Sequence, residues 1–132
     1  EVNLTKTNLI QANLNGADLS QADLSKNDLT GASFVGAKLV DTNLRKANLM
    51  SANLTEVDLT RADLTEANLR GANLSGVDLR RTNLTGTNLN GANLSGADLR
   101  WTDLKKKDLS LYFPLDCILK YFANLLNILC YC

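Results

Sequence analysis

Ala12-Asn13-Leu14-Asn15-Gly16-Ala17-Asp18-Leu19 holds two copies of one five-residue phrase, small residue, Asn or Asp, Leu and two others, and the phrase does not stop there. From Leu4 to Leu109 a large apolar residue stands at every fifth position, 22 centres in all, of which 21 are Leu and one is Phe34. Two residues before the centre stands Ala in 12 units, Thr in five and Val in three, with Asn27 and Lys107 as exceptions. Directly before the centre stands Asn or Asp in 20 of 22 units, the exceptions being Ser33 and Lys38.

A period of five does not fit a straight helix, where successive centres would scatter around the axis. Nor does it fit a flat strand, where an odd spacing throws alternate centres onto opposite faces. The remaining path bends after every unit and sends each centre, with the small residue two before it, to one interior. The last residue of each unit indicates how many sides that path has. Sorted by a period of 20, seven of the eight glycines fall into two of four columns, Gly31, Gly71 and Gly91 in one and Gly16, Gly36, Gly76 and Gly96 in the other. Sorted by 15 they spread over all three columns. Four units per coil is therefore expected, although a 20-residue duplication would leave the same trace.

These runs, together with Ala67-Asn68-Leu69-Arg70-Gly71-Ala72-Asn73-Leu74, resemble the pentapeptide-repeat family over about residues 1–110. The resemblance implies an all-β fold, a right-handed quadrilateral β-helix of about 5.5 coils, with coils about 4.8 Å apart and a rod roughly 26 Å long. It implies an interior built from Leu14, Leu19, Leu24, Phe34, Leu44, Leu54, Leu64, Leu74, Leu84, Leu94 and Leu104. Phe34 is expected to widen that interior or displace small neighbours. Asn27, an inward amide, is expected to bond backbone groups of an adjacent coil. The resemblance says little about activity, and a bacterial origin is an expectation only.

Residues 111–132 break the pattern after Lys107 and Pro114. Ile118, Phe122, Leu125 and Leu129 recur at helical spacing, which predicts an amphipathic C-terminal helix capping the last coil. Pro114 and Asp116 suit its first turn. The segment is too short and too polar to span a membrane. Cys117, Cys130 and Cys132 have no metal-site spacing, and buried thiols are expected there.

The 132-residue chain suits one folded body, and its 14 basic and 14 acidic side chains cancel. A strong whole-molecule field toward nucleic acid or anionic lipid is thus not expected. Histidine is absent, and no nucleophile, base and oxyanion-donor set can be named, so neither an enzyme nor a cofactor is expected. A cytoplasmic location is favoured. The chain starts without an initiator Met, which leaves a processed or trimmed N-terminus open, and an uncapped end could pair with that of a second copy.

Function is expected on the outer faces, as a protein-interaction or scaffold surface for a partner the residues do not identify. Lys6, Lys26, Arg45 and Lys46 on one face and Arg80, Arg81 and Arg100 on the next are the candidate contacts, a solvated charged face being the plainer reading. The alternative follows from the resemblance: some family members mimic duplex DNA and inhibit gyrase, a type II topoisomerase. Such mimicry needs a continuous acidic surface in place of phosphates, whereas acids and bases alternate here. The Asn-Leu-Thr and Asn-Leu-Ser strings at Asn3, Asn53, Asn73, Asn83 and Asn93 match a glycosylation sequon only because the repeat generates them.

Overall fold

The structure is a computed structural model describing Leu4 and residues 7–103. Parallel bridges join each residue before a centre to its counterpart one coil on: Asn13 to Ser33, Ser33 to Asn53, Asn53 to Asn73 and Asn73 to Asn93. Each pairing advances the chain by 20 residues, so four repeats close one coil, as the glycine columns indicate. Among the described residues these are isolated bridges and not continuous strands. A turn after every centre leaves too little extended backbone for a longer ladder. The predicted cap, with Ile118, Phe122, Leu125 and Leu129, and the three cysteines lie outside the described residues, as do Lys6 and Leu104.

The repeat Ala52–Glu56 shows how five residues satisfy five backbone donors. Ala52 N–H closes the preceding turn on the Leu49 carbonyl at 3.0 Å, and Asn53 N–H reaches back one coil to Ala32 O at 2.9 Å. Leu54 and Glu56 donate forward one coil, to Asn73 O at 2.7 Å and Ser75 O at 3.0 Å. The Thr55 N–H has no backbone acceptor, and the Asn53 side chain supplies one through Oδ1 at 3.2 Å. An unpaired donor shielded from water is costly, so the residue before the centre favours a side-chain oxygen carried on Cγ, which selects Asn and Asp.

The corner residue of each described repeat stands third in a four-residue turn with φ between 56° and 71°. A type II turn requires that left-handed conformation. All eight glycines occupy such corners, but so do Gln11, Gln21, Lys26, Asp41, Lys46, Ser51, Glu56, Arg61, Glu66, Arg81 and Trp101. Those residues accept a conformational penalty that coil stacking outweighs.

The centres fill the interior. Leu24, Phe34, Leu44, Leu54, Leu64 and Leu74 are completely buried, Leu19 and Leu84 nearly so, and Leu14 and Leu94 are half-buried toward the ends of the described coils. Each buried Leu contributes roughly 1.5–3 kcal/mol. Phe34 keeps its ladder bonds, 2.8 Å to Asn53 O and 2.8 Å from Ala37 N–H, so the larger ring is accommodated without opening the hydrogen-bonded wall. The small-residue column admits a polar group when it can reach a leucine carbonyl one coil back. Asn27 Nδ2 donates to Leu4 O at 2.9 Å, as expected from its sequence position. Thr42 and Thr82 hydroxyls donate in the same way to Leu19 O and Leu59 O, at 2.8 and 2.7 Å.

Candidate interaction surface

Four faces follow from four repeats per coil, and they differ in charge. The face of Leu14, Phe34, Leu54, Leu74 and Leu94 ionises only Glu56, and the face of Leu9, Leu29, Leu49, Leu69 and Leu89 carries Asp28 and Arg70. Side chains on these two faces are spent on one another. Asn93 Nδ2 bonds Asn73 Oδ1 at 3.2 Å, Asn68 Nδ2 bonds Asn48 Oδ1 at 3.0 Å, and Asn73 Nδ2 bonds the Thr55 hydroxyl at 3.0 Å. Of the sequon asparagines, Asn53, Asn73, Asn83 and Asn93 are ladder and turn elements, and Asn3 lies outside the described residues.

The face of Leu24, Leu44, Leu64 and Leu84 holds Lys26, Arg45 and Lys46. Arg45 reaches Asp63 at 3.1 Å and Lys46 reaches Glu66 at 3.3 Å, both one coil on. The basic column read from the sequence is therefore interleaved with acids. Lys26 is the member of this set without an ion pair among the described residues.

The face of Leu19, Leu39, Leu59, Leu79 and Leu99 concentrates the remaining charge. Arg61 grips Asp41 with two parallel bonds, 2.7 Å from Nε and 2.6 Å from Nη2. Arg80 folds onto Asp78 at 2.6 Å and Arg100 onto Asp98 at 2.5 Å, each through Nη2. The arginine stands two residues after its aspartate in both cases. The same carboxylate caps the arginine's own backbone N–H, at 3.0 Å for Arg80 and 3.1 Å for Arg100. The guanidinium of Arg80 holds the Asp78 carboxyl below the usual range, and Arg61 does the same for Asp41. For Asp98, burial pushes upward, but bonds from the Arg100 side chain and backbone outweigh it and the net direction is down.

The corner column of this face runs Gln21, Asp41, Arg61, Arg81, Trp101. Trp101 is the most exposed large apolar residue described, at 62%. Its ring lies 5.7 Å from the Arg81 guanidinium and 5.3 Å from that of Arg100, so two cations stand within cation–π range of it. Arg81 has no ion pair among the described residues.

Of the residues singled out from the sequence, Arg80, Arg81 and Arg100 come together in one cluster, while Arg45 and Lys46 sit apart on the neighbouring face. Trp101 was not among them. The signal was its spacing of 20 from Arg81, which places the two on adjacent coils at one corner. Among the described residues there is no cluster of three metal-ligating side chains, and no helix is long and apolar enough to cross a membrane.

A family model described as pentapeptide repeats matches residues 3–39, 28–65 and 67–105, in 8 copies. Among solved structures the chain is similar to a pentapeptide repeat protein, Rfr23, of the cyanobacterium Cyanothece 51142. The two share 41% identity and a TM-score of 0.66 over 70% of this chain and 60% of that one. HetL of the cyanobacterium Nostoc sp. strain PCC 7120, described as involved in heterocyst differentiation regulation, is 35% identical with a TM-score of 0.60, over 79% of this chain and 47% of its own. A pentapeptide repeat protein of the Arabidopsis thaliana thylakoid lumen is 27% identical with a TM-score of 0.68, over 75% and 72%. The chain thus spans less than two thirds of the two cyanobacterial proteins. No curated protein matches it.

Proposed function

Because the chain belongs to the pentapeptide-repeat family, whose members generally serve as non-enzymatic scaffold-type proteins, we propose that it presents an interaction surface on the face of Leu19, Leu39, Leu59, Leu79 and Leu99. The solved relatives imply a right-handed quadrilateral β-helix, a rigid post on which side chains from successive coils stand in register. One observation carries the proposal: the exposed indole of Trp101 lies within cation–π distance of both Arg81 and Arg100. Trp and Arg are the residues that most often dominate binding energy at interfaces, and here both are preorganised. Among the described residues the two sparsely charged faces carry no tryptophan and so no such anchor.

The test is comparative capture. The full chain, a Trp101→Ala/Arg81→Ala variant and an Arg70→Ala variant on the face of Leu9, Leu29, Leu49, Leu69 and Leu89 would each be cross-linked in extract of the source cells. A partner retained by Arg70→Ala and lost by the double variant supports the reading; capture indifferent to all three removes it. The rival role, a DNA-mimicking inhibitor of a type II topoisomerase, requires carboxylates free to stand in for phosphates. Asp41, Asp63, Glu66, Asp78 and Asp98 instead each hold an Arg or Lys of the same chain. A supercoiling assay showing inhibition at micromolar protein would reverse that preference.

A further inference from the structure

Resting on that reading of the face, we infer that the Arg81–Trp101 corner receives a carboxylate of an acidic peptide segment, with the indole covering an apolar side chain beside it. The argument is one of elimination along a column. Arg61 is committed to Asp41 through two donors on one edge of its guanidinium, Nε and Nη2. Arg80 and Arg100 are committed to Asp78 and Asp98. Arg81 stands one coil beyond Arg61 and one before Trp101, so its column offers it no acid, only an indole at 5.7 Å. Of the three arginines Arg80, Arg81 and Arg100, the first and last pair with Asp78 and Asp98, and Arg81 is the one with no ion pair among the described residues.

A guanidinium that stacks on an aromatic ring keeps its in-plane N–H donors, in the fork that matches a carboxylate. The ring also holds the side chain near one geometry, so less freedom is lost when a ligand arrives. A basic ligand would meet Arg81 and find the carboxylates of Asp78 and Asp98 already occupied. A phosphate chain would bring repeated negative charge against those same aspartates and find one uncommitted cation where it needs several. A single carboxylate next to an apolar group matches both the charge and the exposed ring.

Trp101 is the only tryptophan, so its fluorescence reports this corner alone. The full chain would be titrated with a synthetic Glu-rich peptide containing interspersed Leu, with the same peptide carrying Gln for Glu, and with a single-stranded oligonucleotide. The expected result is a saturable emission change with the Glu peptide that weakens as salt is added. Arg81→Ala should weaken binding about tenfold or more and Arg81→Lys should restore it only in part, because a point charge lacks the fork. Arg70→Ala should leave it unchanged, and thermal melts would verify that each variant is folded. Equal binding of Glu and Gln peptides, equal loss in Arg70→Ala, or tighter binding of the oligonucleotide would each overturn the inference. Face-dependent capture of a partner without Glu-peptide binding would reject this ligand chemistry and leave the interaction surface standing; failure of both would remove both.

Discussion

Asn15 Oδ1 accepts the backbone N–H of Val35, one coil away, at 2.9 Å. Val35 follows Phe34 in the repeat where Ser33 stands in place of Asn or Asp, and the Ser33 hydroxyl also donates to Asn15 Oδ1, at 2.7 Å. One amide thereby replaces an acceptor that its neighbour's repeat lacks. Asn15→Ala should destabilise by about 1 kcal/mol through the orphaned N–H. Adding Ser33→Asn should recover most of that loss, since an asparagine there can cap Val35 from within the repeat, as Asn53 caps Thr55. Urea midpoints of the single and double variants measure the coupling; a double variant no better than Asn15→Ala would contradict it.

The second exception, Lys38, has no such rescue. Its repeat places Val40 after the centre, and among the described residues no side chain accepts that N–H. Lys38 gives only a minor contribution to the low titration of Asp18, after the bonds from Ser20 and opposed by burial. Replacing it therefore sacrifices a weak, screened attraction. Lys38→Asn is expected to be more stable than Lys38→Ala by about 1 kcal/mol, the worth of a side-chain cap, and to exceed the parent chain in thermal midpoint.

Corner strain can be separated from crowding. Gly16 has φ +66°, and a Cβ built on it would meet nothing within 4 Å. Gly16→Ala should therefore cost only the left-handed penalty less the freedom an unfolded glycine gives up, about 0.5–1 kcal/mol. Ser51 occupies a corner at φ 57° in the column of Gly31, Gly71 and Gly91. Ser51→Gly should stabilise, by about 0.5–1 kcal/mol once the greater freedom of an unfolded glycine is subtracted. Opposite shifts in urea midpoint are the expected outcome.

Acid should loosen the charged face in a defined window. The carboxyl of Asp78 is held low in the fold, first by the Arg80 side chain and, against burial, by the Arg80 backbone N–H. Its contribution is full above the unfolded value of about 3.9 and is lost as pH falls through the lower folded value. Asp78→Asn keeps a turn acceptor and removes the charge. The variant should melt below the parent at neutral pH, and the gap should close as the solution is taken below pH ~4.

The shape of the molecule was legible because it follows from local, repeated constraints. A centre at every fifth position compels a turn after each, and glycine columns at 20 reveal the coil length. The resemblance supplied the quadrilateral β-helix, and the bridges from Asn13 to Ser33 to Asn53 bear out the four-sided register. The inward amide of Asn27 was equally readable, since a buried polar group has few other solutions. The reason for the Asn and Asp preference was not, because it depends on which N–H the stacking of coils leaves without an acceptor.

The surface divides the same way. Charge counting along the sequence found acids and bases alternating and grouped Arg80, Arg81 and Arg100 with Lys6, Lys26, Arg45 and Lys46 as equivalents. Only the folded chain shows which of these cations are spent, because the partners of Arg45 and Lys46, Asp63 and Glu66, come from the next coil. Periodicity is a one-dimensional property and determined the interior by itself. Pairing across coils depends on side-chain reach in three dimensions, and it alone decided that Arg81 meets the Trp101 ring while Arg45 and Lys46 meet acids.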